Sequence, residues 1–101
     1  MSTANYVEAG AVLAGRAEGS PLQARDHLDA FLARVGIELA PVSEAQGRIA
    51  LEARIRYGRG FGAAAKLNYG DCFAYALAMS LSAPLLFVGE DFSRTDVTVA
   101  L

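Results

Sequence analysis

The chain of 101 residues is 53% apolar and 20% charged, with 9% aromatic side chains, a formal net charge of −2 and a single cysteine. These values describe one globular domain with a modest core, residues 1 to 101, and exclude a disordered chain. The small net charge gives no global argument for nucleic acid or a membrane surface, and one cysteine excludes an internal disulfide.

Ser2 to Arg16 reads as a helix of small residues, with Ala4, Val7, Ala11 and Gly15 at helical spacing. No basic segment followed by an apolar one opens the chain, so a secretory signal is not expected. The lone Cys72, in an apolar run, reads as an inert core thiol, and it either fits a reducing cytoplasm, the expected location, or carries no information on it. Glu18 to Pro21 is a loop in which Ser20 caps the next helix and Pro21 takes its first position. Pro21 to Val35 is then amphipathic. Leu22, Leu28, Phe31, Leu32 and Val35 share one side, Arg25, Asp26, Asp29 and Arg34 mostly the other, and Gly36 ends the helix. His27 lies on the polar side without a cysteine or second histidine near it and reads as a surface residue.

Ile37-Glu38-Leu39 is a short strand candidate stopped by Pro41. "SEAQ", residues 43–46, has the form of a capping box and opens a helix to about Tyr57. "YGRGFGAAAK", residues 57–66, carries three glycines and reads as a functional loop. Asn68 to Leu81 is a helix apolar on nearly every face and therefore central. "PLLFVG", residues 84–89, and "TDVTVAL", residues 95–101, read as strands. The apolar run from Cys72 to Val88 is broken by Ser80, Ser82 and Pro84 and falls short of a membrane span. Helices alternating with short apolar strands argue for an α/β layered fold with a parallel sheet. Three strands are a thin sheet for so many helices, and no strand precedes the first helix.

Three acids invite a chemical reading. Glu8 has Ala4, Ala11, Val12 and Gly15 as helical neighbours, and no other charged side chain lies between Met1 and Gly15. Two readings stand side by side: a carboxylate in an apolar setting that needs a cation, or a partly exposed residue at the rim of the core. Asp71 follows Asn68 by three positions; alone it reads as a first-turn acid favoured by the helix dipole, worth ~0.3–1 kcal/mol. Asp91 follows a strand, at the edge where parallel sheets build sites; alone it reads as a turn residue, as do Glu90 and Asp96 nearby. Together, acids from separate elements without basic partners repel unless a metal neutralises them, and oxygen ligands of this kind suit Mg²⁺ or Mn²⁺. Neither a GxSxG, a P-loop nor a CxxC pair occurs.

Basic residues are unevenly placed. Pro41 to Lys66 holds Arg48, Arg54, Arg56, Arg59 and Lys66 against Glu44 and Glu52, a net +3, whereas Asp71 onward carries Arg94 against four acids. A basic helix and loop beside an acidic pocket suits a phosphate backbone approaching a metal, and an ordinary solvated face is the bland alternative.

Residues 57–97 closely resemble the C-terminal half of the VapC-type PIN-domain proteins, most specifically in "LNYGDCFAYALA" and "LLFVGEDFSRTD". "STANYVEAGAVL", residues 2–13, resembles the helix that supplies the family's conserved glutamate. The resemblance covers nearly the whole chain. It implies a PIN-like three-layer α/β fold, a short parallel sheet flanked by helices. It also implies a Mg²⁺- or Mn²⁺-dependent ribonuclease, the toxin of a toxin–antitoxin pair, dimeric and held inactive by a VapB-type antitoxin. By position Glu8 matches the helix glutamate and Asp71 the aspartate of "GDC". Asp91 matches the strand-end acid, with Glu90 or Asp96 as alternatives for that role and Asp96 as a further metal ligand. Arg54, Arg56, Arg59 and Lys66 are the expected RNA contacts.

Two departures qualify the match. "GFGAAAK" leaves only Lys66 where the family commonly carries a basic or histidine-containing turn. The family's opening strand, with its Asp-Thr or Asp-Ser acid, is not found ahead of the glutamate helix, so the chain reads as N-terminally truncated, by a mis-assigned start or as a fragment. The alternative function is accordingly an inactive PIN domain that dimerises or binds an antitoxin.

Overall fold

A computed structural model describes residues 1–60 and 66–82. The expected strands at 84–89 and 95–101, and the middle of the glycine loop, lie outside these residues. The chain divides into two compact units, Met1–Pro41 and a second beginning at Val42.

The first unit holds α1 (Thr3–Arg16) and α2 (Pro21–Val35). Ser2 caps α1 by accepting from the Ala4 amide at 3.2 Å. Ser20 caps α2 through the Gln23 amide at 3.3 Å, and Pro21 follows, where its missing N–H leaves no bond unmade. Gly36 closes α2 at φ 76°, a left-handed conformation that glycine adopts without steric cost, and its N–H reaches the carbonyls of Ala33 and Leu32.

The strand expected at 37–39 appears one residue later and as a single bridge. Ser2 and Ala40 pair in parallel, with Thr3 N–H donating to Ala40 O and Ala40 N–H to Met1 O, both at 2.9 Å. The pairing stops there because Pro41 has no N–H to offer.

Tyr6 Oη donates to Asp29 Oδ1 at 2.6 Å, tying α1 to α2, and this bond raises the Tyr6 pKa. A Cβ added at Gly10 would make ordinary van der Waals contact with Leu28 Cδ2, at 3.6 Å. The expected apolar stripe of α2 is only partly covered: Leu28 and Leu32 are buried, whereas Leu22, Phe31 and Val35 are 63%, 52% and 50% exposed. α1, which packs against it, buries no residue of its own.

The second unit holds α3 (Glu44–Tyr57) and α4 (Tyr69–Ser80). Its core joins Ala50 and Ala53 of α3 to Leu67 and to Cys72, Tyr75, Ala76 and Ala78 of α4. The alanines let the helices approach closely, and Tyr57 packs against Tyr75 with ring centroids 5.7 Å apart. The expected capping box at Ser43 closes by half. Ser43 Oγ accepts from the Gln46 amide at 3.1 Å, but Gln46 Oε1 is buried with no hydrogen-bond partner among the described residues. Gly58 and Leu67 form a second parallel bridge. Among the described residues these two bridges are the only β-pairing.

Candidate functional site

The start of α4 gathers most of the described residues to which the sequence attaches chemistry. Its N-terminus is fixed from both directions: Asn68 Oδ1 accepts from the Asp71 amide at 2.9 Å, and Asp71 Oδ2 accepts from the Asn68 amide at 3.0 Å. This box satisfies two amides that the helix start would otherwise leave open and holds the Asp71 carboxylate in one rotamer. Cys72 Sγ donates to Asn68 O at 3.4 Å. Burial pushes the Cys72 thiol pKa up, nearby Arg54 opposes the shift and Asp71 adds to it. The thiol is therefore protonated at neutral pH and a poor nucleophile, as an inert core cysteine should be.

Leu67, fully buried, anchors this turn. Its carbonyl accepts from the Arg59 amide at 2.8 Å and from Arg54 Nη1 at 3.4 Å, while its amide donates to Tyr57 O at 2.7 Å. Buried Gly58 leaves the chain room to turn here, because a Cβ on it would run into the Arg54 carbonyl. The glycine loop is thereby clamped at its base, with exposed Arg59 on one side and exposed Lys66 on the other. Lys66 adopts φ 55°, in the left-handed region that β-carbon-bearing residues seldom occupy.

Arg54 thus reaches the segment that leads into Asp71 through its guanidinium and Arg59 through its backbone amide, and Lys66 is part of that segment. Arg56 does not join them. It pairs with Glu52 at 3.6 Å and lies over the Tyr57 ring, 4.9 Å from its centroid.

Glu8 belongs to the other unit, on α1, and is exposed. Neighbouring Val7 is exposed as well, and Val12 and Leu13 are about half exposed. Asp91, Asp96 and Glu90 lie outside the described residues. Among the described residues no three His, Cys, Asp or Glu side chains cluster as a metal site. Asp71 offers carboxylate oxygen, the donor type that a hard cation takes. His27 is exposed, as expected.

Tyr69 carries no signal in the sequence. It is the first residue of α4 and 71% exposed, in a helix expected to be apolar and central on nearly every face. Its place between the cap and Asp71 is the one clue, since a first-turn side chain can leave the helix end outward.

The PIN domain family matches residues 1–97. The chain belongs to the PIN domain family. Among the curated relatives of this PIN domain, ribonuclease VapC30 of Mycobacterium tuberculosis is 46% identical over 102 residues, covering 100% of this chain and 75% of the relative. Ribonuclease VapC42 of the same organism is 43% identical over 102 residues, covering 99% of this chain and 74% of the relative. Ribonuclease VapC28, also from that organism, is 42% identical over 101 residues, covering 100% and 74%. The PIN domain is an α/β fold, to which the described residues contribute four helices and two parallel bridges. None of those helices is long and apolar enough to cross a membrane.

Proposed function

We propose that this chain is a PIN-domain endoribonuclease, the toxin of a VapBC-type pair, and that residues 1–101 act as one α/β domain around a short parallel sheet. The observation that carries this reading is the 42–46% identity, over essentially the whole chain, to proteins named ribonuclease VapC. The geometry at α4 supports it: a carboxylate held by the helix cap, with the Arg54 guanidinium on the segment before it.

Glu8, Asp71 and Asp91, with Asp96, are the residues that would hold Mg²⁺ or Mn²⁺, and Glu90 is the alternative at the strand-end position. The ion, when bound, supplies water activation and charge neutralisation at the phosphodiester. The protein's own part is positional. The cap with Asn68 orients Asp71, and Arg54, Arg59 and Lys66 draw the RNA phosphates toward it. Arg56 is a weaker RNA contact because Glu52 already engages it. We further propose a cytoplasmic homodimer neutralised by a VapB-type antitoxin.

The test is RNA cleavage by the purified protein with Mg²⁺, with Mn²⁺ and with EDTA, beside Asp71→Asn. Cleavage that needs the ion and is lost in the variant is expected. Equal activity of the two proteins, or cleavage indifferent to EDTA, overturns the proposal.

A further inference from the structure

We infer that Tyr69 is a stacking platform for one base of the RNA. This inference rests on the ribonuclease reading above. It begins from an aromatic ring that folding leaves outside. Tyr69 is 71% exposed, whereas Tyr75, two turns along the same helix, is 4% exposed in the core. Phe73 meets the Tyr69 ring edge-on, with centroids 5.0 Å apart and planes at 75°. The contact steadies the ring, and the exposure of Tyr69 leaves area open for another π-system.

The surroundings favour nucleic acid. Tyr69 and Arg54 line one notch of about 210 Å³, whose floor is made by Ala50, Leu51, Cys72 and Phe73. Ligand pockets for whole small molecules typically run to roughly 300–1,000 Å³, so this smaller space suits one planar base. The notch is mostly apolar, and Arg54 is the cation in its wall. A stacking ring beside a cation is an arrangement by which proteins hold the bases and backbone of a strand. Tyr69 and Asp71 share the first turn of α4 but leave it on different sides. The stacked base and the cleaved phosphate therefore belong to different nucleotides.

The experiment measures binding by fluorescence anisotropy in EDTA, so that nothing is cut, using a short single-stranded RNA carrying one 2-aminopurine. Wild type, Tyr69→Ala and Tyr69→Phe are compared, and cleavage by the wild type with Mg²⁺ is assayed in parallel. Loss of one stacked base weakens binding roughly 5- to 150-fold in Tyr69→Ala. Tyr69→Phe keeps the wild-type affinity, and 2-aminopurine emission is quenched by the wild type and by Tyr69→Phe but not by Tyr69→Ala. A wild type that cleaves RNA while Tyr69→Ala binds it equally well overturns the stacking inference alone. So does a Tyr69→Phe as weak as Tyr69→Ala, or a Tyr69→Ala that changes oligomeric state with RNA affinity intact. A wild type with neither cleavage nor RNA affinity overturns the ribonuclease reading and this inference with it.

Discussion

Asn68 and Asp71 cap each other, each donating its backbone amide to the other's side-chain oxygen, at 2.9 and 3.0 Å. The carboxylate is therefore structural and available for chemistry at once: Oδ2 is engaged at the helix end, and the charge stays at the surface of the unit. Asp71→Asn separates the two roles. An amide oxygen can still accept from the Asn68 N–H, so the helix cap survives, and only the dipole benefit of ~0.3–1 kcal/mol is at stake. A metal-bound charge stabilises a transition state by several kcal/mol, so cleavage should fall by about two to three orders of magnitude. Urea unfolding and RNA cleavage measured on the same preparation check both halves. A large stability loss in Asp71→Asn contradicts the separation.

Gly58→Ala should destabilise the protein although Gly58 has an ordinary backbone conformation, φ −73°. The obstacle is space, since the added methyl meets the Arg54 carbonyl, a backbone group that cannot swing aside. Overpacking of this kind costs about 1–3 kcal/mol. Gly47 is the control: it lies within α3 with nothing described within 4 Å of an added Cβ. Gly47→Ala should stabilise by roughly 0.5–1 kcal/mol through helix propensity. Thermal unfolding of the pair reads out opposite signs.

The helix ends are legible in the sequence because the chemistry that makes them acts within three residues. Ser20-Pro21, Gly36 and Asn68-Asp71 each do what their spacing implies. The same pattern at Ser43-Gln46 closes only by half, because a neutral, longer amide gains less from reaching back than a carboxylate does. Exposure is less legible. Leu22, Phe31 and Val35 sit on an apolar stripe yet remain half-open, because what covers a stripe depends on the partner elements, which a local pattern does not name. The convergence of Arg54 and Arg59 on Leu67 is invisible locally, since 13 residues separate Arg54 from its acceptor. In the mostly apolar α4, only a first-turn position hints that Tyr69 is left outside.

Cys72 should make stability fall with alkaline pH. Burial raises its folded-state pKa, so below the unfolded thiol value of about 8.5 both states hold the proton and the cysteine adds no pH dependence. Above that value the unfolded chain releases its proton first, and stability declines until the folded pKa is passed. Unfolding free energies from pH 7 to 10.5 should therefore drop more steeply for wild type than for Cys72→Ala, with the lysine and tyrosine contributions common to both. The native thiol should also react with a disulfide reagent at neutral pH at least ~10-fold more slowly than in urea.

Lys66 combines a strained backbone with an exposed charge, and the two can be tested apart. At φ 55° a lysine costs about 1–2 kcal/mol relative to a residue at ease there. A position held against such a cost invites a functional reading, and its location beside Leu67 suggests a phosphate contact. Asparagine tolerates the left-handed region but carries no charge. Lys66→Asn should therefore leave stability within about 0.5 kcal/mol or raise it slightly. Its single-stranded RNA affinity should fall, and the slope of log affinity against log salt should flatten by about 0.7, the share of one phosphate contact. Arg56→Gln is the comparison, because Arg56 is already engaged by Glu52 and by the Tyr57 ring. Its slope should change less than that of Lys66→Asn. The reverse order moves the RNA path away from the clamped loop and onto the exposed face of α3.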